Sequence, residues 1–306
     1  MRALFVLTPP ESKRFIAKAV AQLPEVITAK EYDEIVLAHG STNVCVAEEI
    51  IGECPERDKF LSGQIINRVL CLTQAEEKPP IIKIRKGNLV PPASTMEETL
   101  ENFGSESVFI KGANAVDPQG NAGVFVAHPS GGTIGWAFGI LSARGSRLIV
   151  PVGLEKLVPS IKEATQHLGQ DTLYYSSGVK IGMVPIMNAK VITEIESFRI
   201  LFDLHAVHIG CGGVSGSEGS VVLAAEGEKR NLDRAVELIE SIKGEPPSQP
   251  KKSLCINCLP SSPSTLVSPE EQFSEKESEH CMFQGRKEEE LPLFLRQRVW
   301  PGIFHT

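Results

Sequence analysis

Short apolar runs recur through the first half of the chain, and most are followed by a segment whose apolar positions repeat at helical spacing. Residues 2–7 read as a strand, and residues 11–22 as a helix with Phe15, Ile16, Val20 and Leu23 along one face. Pro9 and Pro10 punctuate its start. Residues 35–38 give a second strand and 44–52 a second helix, with Glu48 and Glu49 between the apolar positions. Residues 81–84, 108–111, 122–127 and 147–152 read as further strands, while 94–102 and 131–143 read as helices. Thr95 ahead of Glu97 and Glu98 favours a helix start, because acids in the first turn meet its positive end. This alternation predicts a mainly parallel sheet with helices on both faces.

The pattern changes near Gly178. A strand over 179–187, broken at Pro185, precedes a helix over 189–204 whose face carries Val191, Ile195, Phe198 and Phe202. Strands at 206–210 and 220–225 follow, joined by a Gly- and Ser-rich loop, and Asn231 opens a helix that Gly244, Pro246 and Pro247 end. That order is the one found in a ferredoxin-like α+β unit. The expected organisation is an α/β ligand-binding domain over 1–170, a ferredoxin-like domain over 178–245 and a tail over 248–306. The tail is rich in Ser, Pro, Glu and Lys, so it reads as mostly disordered, with 291–295 as an apolar exception able to dock.

Two glycine-bearing turns at strand ends hold the candidate chemistry. In His39-Gly40-Ser41-Thr42-Asn43, glycine lets a ligand approach the backbone, Ser41 and Thr42 offer hydroxyls, and the next helix points free N–H groups back at the turn. Lys111-Gly112-Ala113-Asn114-Ala115-Val116-Asp117 is the second turn, in which Asn114 and Asp117 offer polar contacts. Gly131-Gly132-Thr133 opens a helix and supplies a further set of N–H donors. Each also has a purely structural reading, as a helix cap, an ordinary turn or a close helix-sheet contact.

The residues 36–43 resemble the phosphate loop of ribose-5-phosphate isomerase type A, and residues 111–118 resemble its acidic second loop. Residues 112–121 together with Val152-Gly153-Leu154-Glu155-Lys156-Leu157-Val158-Pro159 resemble the lactate-utilisation domain of the same sugar-isomerase and CoA-transferase-like superfamily. The resemblance implies an anion pocket and assigns Glu155 to acid-base or covalent work and Lys156 to charge stabilisation. It also marks a departure: Lys111, Asn114 and Ala115 stand where the isomerase carries acids, and only Asp117 is retained. Proton transfer between sugar carbons needs a positioned acid-base pair, so that isomerisation is not the expected reaction. The expected ligand is a phosphorylated sugar or a CoA-type anion. A non-catalytic sensor or assembly protein acting through the ferredoxin-like unit is the alternative, and self-association is open.

The remaining chemistry is weaker. A net charge of −7 argues against nucleic acid as a partner, and no apolar run approaches the length that spans a membrane. The first residues lack the pattern of a secretory leader, which makes the cytoplasm the expected location. Seven scattered cysteines make no disulfide framework. Cys255 and Cys258 would need partners such as His280 and Cys281 to close a zinc site, so no metal and no cofactor is expected. Glu218, in the Ser-Glu-Gly of the later loop, is comparable with the glutamate of CoA transferases.

Overall fold

The computed structural model describes residues 1–74, 77–250 and 281–296. Its frame is a six-stranded sheet running β12 (Lys190–Ile192), β10 (Arg147–Pro151), β7 (Val108–Ile110), β2 (Glu34–Leu37), β5 (Ile82–Arg85) and β6 (Asn88–Val90). The first four are mutually parallel. Strand alternation sends Ile35, Leu37, Val108, Ile110 and Ile149 to one face, against α1 (Pro9–Ala21), α2 (Pro24–Tyr32) and α3 (Ser41–Ile51). Val36 and Phe109 face the other way, onto α4 (Met96–Thr99) and α5 (Gly132–Arg144). Because both faces are covered, β2 and β7 are buried along their whole length.

The other strand ladders are antiparallel. Strands β5 and β6 form a hairpin whose turn, Lys86-Gly87, has positive φ at both residues. Asn67-Arg68 does the same between β3 (Gly63–Ile66) and β4 (Val69–Leu72). Two-residue turns of this kind match the twist of antiparallel strands. Strands β8 (Ala115–Val116), β9 (Ala122–Val126) and β11 (Gly182–Ile186) make a further antiparallel sheet. The fold is therefore mixed α/β, with antiparallel ladders outnumbering the parallel core.

The strands after Gly178 do not gather into one sheet. Strand β11 pairs with β9, and β12 extends the large sheet, whereas β13 (His205–Gly212) and β14 (Ser220–Glu226) pair with β1 (Arg2–Leu7) at the opposite end of the chain. The small sheet thus takes its third strand from the N-terminus, not from 179–187. Its apolar side packs on Phe15 of α1, on α7 (Glu194–Phe202) and on α8 (Lys229–Ser241). The Phe15 and Phe198 rings meet edge to face at 4.9 Å. Val191 lies in a strand, not on the expected helix, because Thr193 and Glu196 form a capping box that starts α7 at Glu194.

The ends of the chain are tied to the middle. Arg14 of α1 bridges Glu48, Glu49 and Glu245, and Arg57 reaches Glu48 and Glu245. Residues 281–296 differ from the expected disordered tail: Phe283 and Leu291 are buried against Val69, and the Met282 N–H donates to Gly178 O at 3.1 Å. No helix among the described residues is long and apolar enough to cross a membrane.

Candidate anion-binding site

Strand β2 ends at Leu37 and the chain turns through Ala38, His39 and Gly40 into α3. Asn43, fully buried one turn into that helix, donates its side-chain amide to Ala38 O at 2.6 Å and to Ile110 O at 3.0 Å. It therefore clamps the ends of β2 and β7 together, and their following turns emerge side by side. Helix α5 begins nearby at Gly132 after Gly131, whose φ of 81° places it in the left-handed region that glycine tolerates. A Cβ at Gly131 would lie 3.0 Å from Gly135 Cα, so this turn also needs the missing side chain for space.

Both helices start without a side-chain cap and without an acid in the first turn. Their leading N–H groups and positive dipole ends are the natural partners of an anion. Gly40, Ser41, Thr42, Gly131, Gly132 and Thr133 line one cavity of about 270 Å³. Gly112, Asn114 and Lys156 line it as well. Two sheets and both helix starts thus contribute to a single space.

Among the described residues, three lysines line that cavity: Lys78, Lys111 and Lys156. Among the described residues the Lys111 ammonium reaches two backbone carbonyls, Gly112 O at 3.3 Å and His39 O at 3.5 Å. Lys156 donates to Ala113 O at 3.0 Å. Burial pushes the Lys111 amine down to about 8, and the neighbouring Lys156 charge adds to the effect. Burial lowers Lys78 and Lys156 too, although Glu155 works to keep Lys156 charged. No carboxylate is among the described residues lining the cavity. Desolvated cations without an anion inside the cavity make an incoming anion favourable.

His39 adds a polar edge. Its Nε2 lies 2.6 Å from Pro79 O, an acceptor, so Nε2 carries the proton, and the buried Nδ1 keeps a lone pair with no hydrogen-bond partner among the described residues. Burial, reinforced by Lys78, pushes the imidazole down to about 3, and it stays neutral.

Other residues singled out in the sequence serve the frame. Asn43 does not line the cavity, because its amide is spent on the two strand ends. Asp117 also lies outside it: one oxygen accepts from the Gln119 and Asn121 N–H groups, the other from the Asn121 side chain and from Ile161 N at 3.1 Å, the start of α6 (Ile161–Gln166). Burial opposes ionisation there, yet these donors hold the carboxyl below its usual range. Glu155 sits beside Lys13, at 3.9 Å, and does not reach the cavity wall. Glu218 accepts from Gly216 N at 2.9 Å within its own loop. Among the lining residues, Lys78 is not singled out in the sequence, and His39 and Lys111 stand in the two turns without a binding role assigned to them.

The turn that carries Lys156 is itself anchored. Glu194, at the start of α7, is fully buried and accepts from Leu154 N at 2.9 Å. Burial pushes its carboxyl up to about 7. Cys255 and Cys258 lie outside the described residues. Among the described residues Cys45, Glu48 and Glu245 come within 4.8 Å of one another, but Arg14 and Arg57 already pair with both carboxylates, and burial pushes the Cys45 thiol up to about 11.

No family model and no curated protein matches the chain. Among solved structures it is similar to a D-ribose-5-phosphate isomerase in complex with phospho-erythronic acid, at 17% identity and a TM-score of 0.28, over 78% of this chain and 88% of that one.

Proposed function

We propose that the protein binds a small phosphorylated metabolite in the cavity between α3, α5 and the turn after β7. The observation that carries this reading is the lining itself: three lysines and two uncapped helix starts, with no carboxylate among the described residues. Helix N–H groups and ammonium groups together are the usual means of holding a phosphate. A cavity of about 270 Å³ suits a sugar phosphate, whereas a whole CoA would have to extend beyond it.

In this reading Ser41, Thr42, Gly132 and Thr133 present N–H and hydroxyl groups to the phosphate, and Lys156 supplies charge. Asn114 is less available, because its side-chain oxygen already accepts from Phe125 N at 3.0 Å. Acid-base work by Glu155 would require it to leave its present place beside Lys13. The lining favours binding with lysine chemistry over a carboxylate-driven isomerisation, and the same feature supports the second reading, a metabolite sensor.

Isothermal titration with inorganic phosphate and with pentose and tetrose phosphates tests the proposal. Saturable binding of sugar phosphates that inorganic phosphate displaces is expected. Absence of heat with every phosphorylated compound overturns it.

A further inference from the structure

We infer that Lys111 is a nucleophile that captures the carbonyl carbon of an aldehyde or ketone borne by the phosphorylated ligand, forming a Schiff base inside the cavity. The inference rests on the anion-binding reading above and adds a substrate class, carbonyl phosphates, and a covalent step.

The three lysines of the cavity are not equivalent. Lys156 holds a carbonyl at 3.0 Å, and Glu155 and Glu194 favour its charged form against burial and the opposing charge of Lys13. Lys111 has no such support: its two carbonyl contacts, at 3.3 and 3.5 Å, are long for an ammonium, and the charge acting on it is the cation of Lys156. The two amines sit on successive carbonyls, Gly112 O and Ala113 O. Loss of a proton from Lys111 therefore relieves repulsion and forfeits little hydrogen bonding. An amine desolvated beside a second cation is the arrangement that makes lysine a nucleophile near neutral pH. The shift of Lys111 to about 8 agrees with this geometry.

The step balances without oxidant or reductant. Lys111 first releases a proton to solvent. The Nζ lone pair then attacks the carbonyl carbon, a C–N bond forms, and the π pair moves to oxygen, which takes up a proton. The nitrogen gives up its second proton, the hydroxyl takes up a further proton and leaves as water, and the resulting iminium loses the last N–H proton to give C=N. In sum, amine and carbonyl become imine and water. Lys156 and the starts of α3 and α5 hold the phosphate meanwhile, fixing which carbonyl meets Lys111.

The test uses the full chain with pyridoxal 5′-phosphate as an aldehyde phosphate probe, trapped by sodium borohydride and mapped by peptide mass spectrometry. Isothermal titration with inorganic phosphate is run in parallel. Expected is a pyridoxyl group on Lys111, about tenfold or more above any other lysine at pH 7.5, since an ordinary lysine is almost wholly protonated there. Pyridoxal without the phosphate labels Lys111 poorly, and excess inorganic phosphate suppresses the label. If inorganic phosphate binds but the label falls on Lys156, on Lys78 or evenly over the surface, the nucleophile assignment is wrong and the anion site stands. If inorganic phosphate neither binds nor suppresses labelling, the anion reading itself fails and the inference goes with it.

Discussion

The Glu194 carboxyl accepts the Leu154 N–H at 2.9 Å, and through that bond helix α7 fixes the turn that presents Lys156 to the cavity. A fully buried carboxyl facing a pocket of lysines from behind is a titrating element as well as a strut. Its position couples fold stability to pH.

The sign follows from its raised pKa. Folded Glu194 keeps its proton up to about 7, whereas the ordinary value is 4.5. The stability this group contributes is full below pH 4.5, falls as pH rises towards 7, and is lost above that. The span amounts to about 3 kcal/mol. Glu194→Gln retains an acceptor for Leu154 and removes the titration, so urea unfolding should show the variant gaining on the natural protein between pH 5 and pH 8. Parallel stability profiles for the two proteins would contradict this. His39 works oppositely, since its lowered pKa costs stability as pH falls from 6.5 towards 3, which makes the comparison of variant with natural protein, not the bare profile, the informative quantity.

Removing a cavity cation should weaken phosphate binding while sparing the fold. A charge-assisted contact contributes about 1.5–3 kcal/mol, so Lys156→Met is expected to raise the Kd for inorganic phosphate by roughly 10- to 100-fold. The same variant takes away the charge that lowers Lys111, and the pH at which Lys111 becomes reactive should rise. Competitive labelling across a pH series reads both effects.

Asn43 should matter for stability and only indirectly for ligand. Its amide satisfies Ala38 O and Ile110 O, and Asn43→Ala leaves both without that donor in a buried setting. A loss of about 3 kcal/mol in denaturant unfolding is expected. A loss below about 1 kcal/mol, the level of an ordinary surface change, would remove the clamp from the account.

Gly178 pairs with Leu70, a residue of the cavity wall, through an isolated bridge. With φ at 118° and a hypothetical Cβ only 2.0 Å from Leu70 O, no side chain fits without moving one of the two strands. Gly178→Ala should cost more than about 3 kcal/mol, which thermal unfolding measures directly.

Much of the frame is legible in local sequence. The short apolar runs at 35–38 and 108–111, each followed by a glycine turn, mark buried strands delivering loops to one edge, and residues of both turns line one cavity. The pairing of β1 with β14 is not legible, because it joins residues more than 200 positions apart and leaves no periodic trace in either segment. Asn43 and Asp117 illustrate a different limit. An amide or carboxylate in a turn serves backbone N–H and C=O groups with the same chemistry that would serve a ligand, and only the partners decide. Lys78 goes unread, and Lys111 is read only as a replaced acid, for another reason: a lysine reads as a solvated charge until the fold shows what surrounds it. Glu155 gained its expected role from a motif, yet its neighbour in the sequence, Lys156, is the one that turns inward.

The packing of residues 281–296 bears on how the chain is to be handled. Composition invites a shortened protein ending near residue 250, after the last long helix. Cys281 and Gln284, however, form part of the cavity wall, and Phe283 sits under the hairpin that makes another part of it. A version cut at that point would keep both helix starts and all three lysines but leave one side of their chamber open to water, where each ammonium is better solvated and a phosphate has less to gain. Weak binding by such a fragment would measure the missing wall and say nothing against the lysines.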